Sequence, residues 1–217
     1  MIKQENNLTE LVFILDRSGS MAGLESDTIG GFNANIEKQK KEDGDAFVTT
    51  YLFDHDLMML HDRVKLTEIP AMTDRDYTVR GSTALIDAMG EAITHIQQIH
   101  KYARPEDVPS HTIFVITTDG LENASRKFDS STVKKMVEAQ KEAGWEFLFL
   151  GANIDAVETA SKLGISRECA ANYCSDSVGT EKMFHALGGA MSSLRKGSRL
   201  RSDCFAELEA DVKKRRK

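Results

Sequence analysis

The chain has 217 residues and a net charge of −6; with 41% hydrophobic and 29% charged residues it has the makings of a globular protein that buries a core without disulfides or a structural metal. The acidic balance argues against a protein that grips nucleic acid over a broad surface, and three cysteines (Cys169, Cys174 and Cys204) are too few and too unevenly spaced for a disulfide scaffold or a zinc knuckle. No apolar run approaches the roughly 20 residues of a bilayer span, and the opening MIKQENNLTE holds no signal-peptide core, so the expectation is a cytoplasmic protein with no membrane association.

The first element is LVFIL (11–15), apolar at every position like a strand covered on both faces, and it stops at Asp16. Ile29, Phe32 and Ile36 fall at helical spacing. GDAFVTTYLF (44–53) alternates, DHD (54–56) is a turn signal, and LMMLHDRVKL (57–66) returns, which predicts a hairpin. Leu85, Met89, Ala92, Ile93 and Ile96 mark an amphipathic helix, and TIFVITT (112–118) is a second buried strand. Val133, Met136, Val137 and Gln140 carry a helix that Gly144 is placed to end. WEFLFLG (145–151) is a third buried strand, and Asp155 is placed to cap a short helix ending near Gly164. ECAANYC (168–174) is a weaker strand. Met183, Phe184, Leu187, Met191 and Leu194 share one face of a last long helix, in which Gly188 and Gly189 lower the intrinsic stability.

Strands alternating with helices predict an α/β fold: three layers, α/β/α, around a mostly parallel sheet whose hairpin adds one antiparallel edge strand. Residues 1–196 read as one domain. Residues 197–217 read as a basic C-terminal tail with a helical portion around Phe205, Leu208 and Val212, ending in KKRRK (213–217), which is expected to be solvated.

In an open parallel sheet, ligands bind beyond the carboxyl ends of the strands, where the strand order reverses. Asp16 and Asp119 each directly follow a predicted buried strand, and GSTALIDA (81–88) sets Thr83 just before a helix. If the two strands are neighbours, Asp16, Ser18, Ser20, Thr83 and Asp119 converge as five oxygen-bearing side chains. Alternation in Asp-x-Ser-x-Ser lets a tight loop turn residues 16, 18 and 20 inward, with Gly19 supplying backbone freedom. With no His or Cys among them, the set suits Mg²⁺ or Mn²⁺ rather than zinc. Each residue alone reads as an ordinary turn former or helix cap; the order and spacing of all five point to a metal site.

DRSGS, GSTAL and TTDG, in that order and spacing, resemble the complete metal-ion-dependent adhesion site of von Willebrand factor type A domains. The resemblance covers residues 8–195, and the chain looks most like stand-alone intracellular bacterial and phage members. It implies a Rossmann-like fold, a divalent ion (Mg²⁺ or Mn²⁺) on Asp16, Ser18, Ser20, Thr83 and Asp119, and a protein partner whose Glu or Asp completes the coordination. The expected function is metal-dependent protein binding and not catalysis. Glu122, Asn123 and Arg80 are expected at the rim of the site or as plain surface residues.

Two alternatives stand beside this reading. One is a Mg²⁺-dependent hydrolase. Against it, a dehalogenase-like phosphatase needs a second Asp where Ser18 stands, and the chain has no phosphate loop and no nucleophile elbow. The other is a scaffold that touches nucleic acid through KKRRK.

Overall fold

The computed structural model describes residues 7–215. Its centre is a six-stranded sheet of order β3-β2-β1-β4-β5-β6, with β1 Leu8–Asp16, β2 Asp45–Phe53, β3 Leu57–Lys65, β4 His111–Thr118, β5 Trp145–Gly151 and β6 Ala170–Asn172. Every neighbouring pair is parallel except β2 and β3, the antiparallel hairpin at the edge. The helices are α1 Glu25–Gln39, α2 Leu85–Tyr102, α3 Ser130–Glu142, α4 Ala156–Lys162, α5 Ser177–Arg195 and α6 Ala206–Arg215. The predicted strand over 168–174 is shorter than its apolar content suggested, because residues Arg167–Cys169 form a 3-10 turn. Among the described residues, no helix is long and apolar enough to cross a membrane.

Side chains alternate across each strand, so one central strand feeds two cores. Leu11, Phe13 and Leu15 face α1, α5 and α6, while Val12 and Ile14 face α2, α3 and α4. Both faces of β1 are therefore covered, which is why its sequence is apolar throughout. The result is the expected three-layer α/β/α architecture.

On the first face, α1 and α5 are joined by buried polar bonds as well as by packing. Asn35 donates to the Phe184 carbonyl at 2.8 Å, Gln39 to the Gly188 carbonyl at 3.2 Å, and the buried Arg195 to the Gln39 carbonyl at 2.7 Å. The close approach depends on glycine. A Cβ on Gly31 would sit 2.1 Å from the Phe184 ring, and one on Gly188 would sit 2.5 Å from Asn35 Oδ1. Gly188 is thus a packing device, whereas Gly189 faces open space.

Beyond α5 the chain turns back and lays α6 against α5 and β6, burying Phe205, Leu208 and Val212. Of the basic run expected as a solvated tail, Lys213, Lys214 and Arg215 form the last turn of α6. Arg215 pairs with Asp211 and Asp176. Residues 216 and 217 lie outside the described residues.

Two predictions follow from this packing. Gly31→Ala should destabilise the domain by about 1–3 kcal/mol through overpacking, whereas Gly189→Ala should stabilise it by up to about 1 kcal/mol, both read from urea denaturation. His61 on β3 is buried and stacked on Phe32 at 6.2 Å, and burial holds its pKa below the ordinary 6.5. The unfolded chain therefore takes up this proton first as pH falls, so stability should drop as pH passes below about 6.5. His61→Phe should flatten that part of the profile.

Candidate metal centre

The site forms where the carboxyl ends of β1 and β4 lie side by side. Their parallel register sets Leu15 opposite Thr117, so Asp16 and the residues after β4 leave the sheet together. Asp16 is 1% exposed and bound at both oxygens: Oδ1 accepts the Ser18 amide at 2.7 Å and Oδ2 accepts the Thr118 hydroxyl at 2.6 Å. The first bond turns the chain sharply after the strand, into a 3-10 turn at Gly19–Met21 that presents Ser20. The Tyr77 hydroxyl donates to the Asp16 carbonyl from below. Burial pushes the Asp16 carboxyl above the usual range, the hydrogen bonds from Ser18 and Thr118 oppose that rise, and the neighbouring Asp119 charge adds to it.

Asp119, directly after β4, is also 1% exposed. Its Oδ2 accepts the Ser175 hydroxyl at 3.0 Å, whereas its Oδ1 is buried and has no hydrogen-bond partner among the described residues. The Ser18 and Ser20 hydroxyls lie 3.0 Å apart. Thr83 is clamped by Asn123, whose side chain accepts the Thr83 amide at 2.9 Å and whose amide donates to the Thr83 carbonyl at 3.0 Å. Glu122 ties the same loop to the start of α2 by accepting the Ile86 amide at 2.9 Å.

Gly120 shows how closely these groups meet. A Cβ built there would lie 3.1 Å from Thr83 Oγ1, 3.2 Å from Ser20 Oγ and 3.9 Å from Ser18 Oγ. Three hydroxyls from two separate loops therefore surround one point beside Asp119, with the Asp16 carboxylate tied to Ser18. The five residues singled out in the sequence are thus gathered at one edge of the sheet. Neutral hydroxyls, two carboxylates and an orphaned buried carboxylate oxygen suit a hard divalent cation and fit poorly with solvent-free burial of two acids.

A second group, Asp54, His55 and Asp56, sits at the hairpin turn, with ligand atoms within 4.8 Å of one another. Here the charge is already matched. The fully buried Asp54 carboxylate pairs with Arg17 at 3.0 Å and Arg80 at 2.9 Å, and Asp56 pairs with Arg80 at 3.4 Å. Asp54 also accepts the Ala84 amide through its carbonyl, so this turn braces the Thr83 loop. Gly81, with φ +70°, lets that loop pass His55, which a Cβ would strike at 2.0 Å. Arg80, expected at the rim, is part of this brace, as Asn123 and Glu122 are parts of the other. Sequence reasoning missed the roles of Thr118, Tyr77, Ser175 and the Arg17–Asp54 pair; Arg17 and Thr118 lie inside the quoted motifs and Asp54 in the turn signal, but no periodicity reports a side chain's distant partner.

No protein-family model matches the chain, and no curated protein matches it. Solved structures do. The von Willebrand factor domain of the pilus tip protein Mfa5 from Porphyromonas gingivalis aligns with 84% of this chain and 94% of its own, at 11% identity and a TM-score of 0.59. Proximal thread matrix protein 1 from the mussel byssus aligns with 87% of this chain at 14% identity and a TM-score of 0.58; the match spans 47% of the mussel chain. Manganese-loaded TRAP protein from Plasmodium vivax aligns with 82% of this chain and 74% of its own, at 15% identity and a TM-score of 0.53. The mussel protein has also been solved with its MIDAS motif occupied by zinc. At these identities the likeness is one of fold: the chain has the Rossmann-like architecture of von Willebrand factor type A domains.

The Thr118–Asp16 bond yields a direct test. Thr118→Val keeps the shape but leaves Asp16 Oδ2 buried without its donor, and it should cost about 1–3 kcal/mol in urea denaturation at pH 7.

Proposed function

We propose that this chain, on the fold of von Willebrand factor type A domains, is a divalent-metal-dependent protein-binding module. Asp16, Ser18, Ser20, Thr83 and Asp119 would hold Mg²⁺ or Mn²⁺, and a Glu or Asp of the partner would complete the coordination. The observation that carries the reading is the meeting of the Ser18, Ser20 and Thr83 hydroxyls around Gly120, beside a buried, unpartnered oxygen of Asp119. With neutral hydroxyls as three of its five groups, the site leaves a divalent ion more charge than an all-carboxylate cage would, and the ion attracts an anionic oxygen from outside. Two structures of the same fold, one with zinc in its MIDAS motif and one loaded with manganese, lend support from outside the chain.

Binding is favoured over catalysis because the Ser18 hydroxyl pairs with Ser20 and not with a basic side chain. Three free cysteines favour a reducing, cytoplasmic setting, in line with the stand-alone bacterial and phage proteins that the motif resembles.

Titration calorimetry is expected to show Mg²⁺ or Mn²⁺ binding by the wild type. Asp119→Ala should lose it, and so should Gly120→Ala, whose methyl group intrudes among the hydroxyls. EDTA should release the ion without unfolding the domain, since both cores form independently of it. No divalent binding by the wild type, or equal binding by Asp119→Ala, would overturn the reading. Phosphoester turnover with Mg²⁺ that disappears in Asp16→Ala would favour the hydrolase instead.

A further inference from the structure

We propose that Ser175 is a positioning residue for Asp119, and that α6 keeps Ser175 in place through the Arg215–Asp176 ion pair; the proposal rests on the metal reading above. Asp119 has two oxygens in different situations. Oδ2 is held by the Ser175 hydroxyl at 3.0 Å, and Oδ1 is buried without a partner. A single side-chain hydrogen bond therefore selects the carboxylate orientation and leaves one oxygen for the ion. Outer hydrogen bonds of this kind set the basicity and direction of a ligating carboxylate.

Ser175 lies in the short connection between β6 and α5, and that connection is pinned on several sides. The Tyr173 amide donates to the Gly151 carbonyl at 2.9 Å, which ties the connection to the end of β5. The Asp176 amide donates to the Cys174 carbonyl at 2.9 Å. Gly179 sits so close beneath the turn that a Cβ would lie 2.0 Å from the same carbonyl. The Ser177 hydroxyl donates to Asp27 on α1 at 2.7 Å.

Asp176, next to Ser175, does two things at once. Its Oδ1 caps α5 by accepting the Gly179 amide at 2.9 Å, and its Oδ2 accepts from Arg215 at the end of α6. Arg215 is itself aligned by Asp211 at 3.0 Å, and Asp211 is bound by Lys182 of α5. Phe205, Leu208 and Val212 seat α6 in the core, so the guanidinium is delivered to Asp176 by a docked helix. The path from α6 to the site is thus Arg215, Asp176, Ser175, Asp119. Arg215 and Asp176 are partly exposed, and ion pairs in such positions add little to overall stability. Their effect should appear in the metal site and not in the melting temperature.

The test is Mn²⁺ titration calorimetry on the full chain, with thermal melts in EDTA confirming that each variant folds. Ser175→Ala should weaken Mn²⁺ binding by about tenfold or more, the usual effect of losing an outer hydrogen bond to a metal ligand. Ser175→Thr, which keeps the hydroxyl, should restore most of it. Arg215→Met should also weaken binding, by less than Ser175→Ala, because it acts one step further from the ligand. Asp176→Asn, which retains a capping oxygen for Gly179, should match Arg215→Met. The double variant Ser175→Ala/Arg215→Met should bind no more weakly than Ser175→Ala alone, because the helix acts through the serine. The proposal is overturned if Ser175→Ala or Arg215→Met titrates like the wild type, or if their losses multiply in the double variant. A wild type that binds no Mn²⁺ would instead overturn the metal reading, and this proposal would fall with it.

Discussion

Two acids, Asp16 and Asp119, are buried at the ends of adjacent parallel strands, and the rest of that edge is organised around them. A buried carboxylate is costly unless it is hydrogen-bonded or paired with positive charge. Among the described residues no guanidinium is paired with either acid; Arg17, the nearest in sequence, turns to Asp54 instead. Asp16 is satisfied by Ser18 and Thr118, and Asp119 only halfway, by Ser175. The remaining deficit is electrostatic as well as directional, and a divalent cation would meet both needs.

The loops that deliver the hydroxyls are held more firmly than loops usually are. The buried Asp54 and Arg17, with the half-exposed Arg80, form a charged brace that holds the Thr83 segment through the Ala84 amide, and Asn123 clamps Thr83 itself. Preorganisation matters here because small oxygen ligands must be placed closely to exclude water from one side of an ion and leave the other side open. The arginines keep the hairpin turn near neutrality, which separates it in character from the acid-rich edge a few residues away.

The opposite layer shows how the scaffold stays rigid. Apolar burial alone would allow α5 to shift along α1, but Asn35, Gln39 and Arg195 bind specific carbonyls and fix one register. The α1–α5 contact is glycine-lined, polar and buried. The connection from α6 reaches the site through the turn at the head of α5 and needs no movement of that helix.

The sequence by itself determined the layers. Fully apolar strands such as 11–15 and 112–118 report burial on both faces, and the spacing of Leu85, Met89 and Ile96 reports one buried helical face. These are local periodic signals that tertiary packing has little freedom to override. The order Asp16, Ser18, Ser20, Thr83, Asp119 was legible for a related reason: each residue lies at a strand end or a turn, and in a parallel sheet strand ends have a known direction. Only the tertiary structure decided which side chains support them. Thr118, Asn123 and Ser175 act across 102, 40 and 56 positions of chain, and the Arg215–Asp176 pair spans 39. A hydroxyl or amide that reaches a distant partner leaves no period in its own segment. The same holds for β6, whose predicted front end is taken up by the Arg167–Cys169 3-10 turn, and for Gly188, a helix weakener by propensity that becomes a contact point only once Asn35 is packed against it.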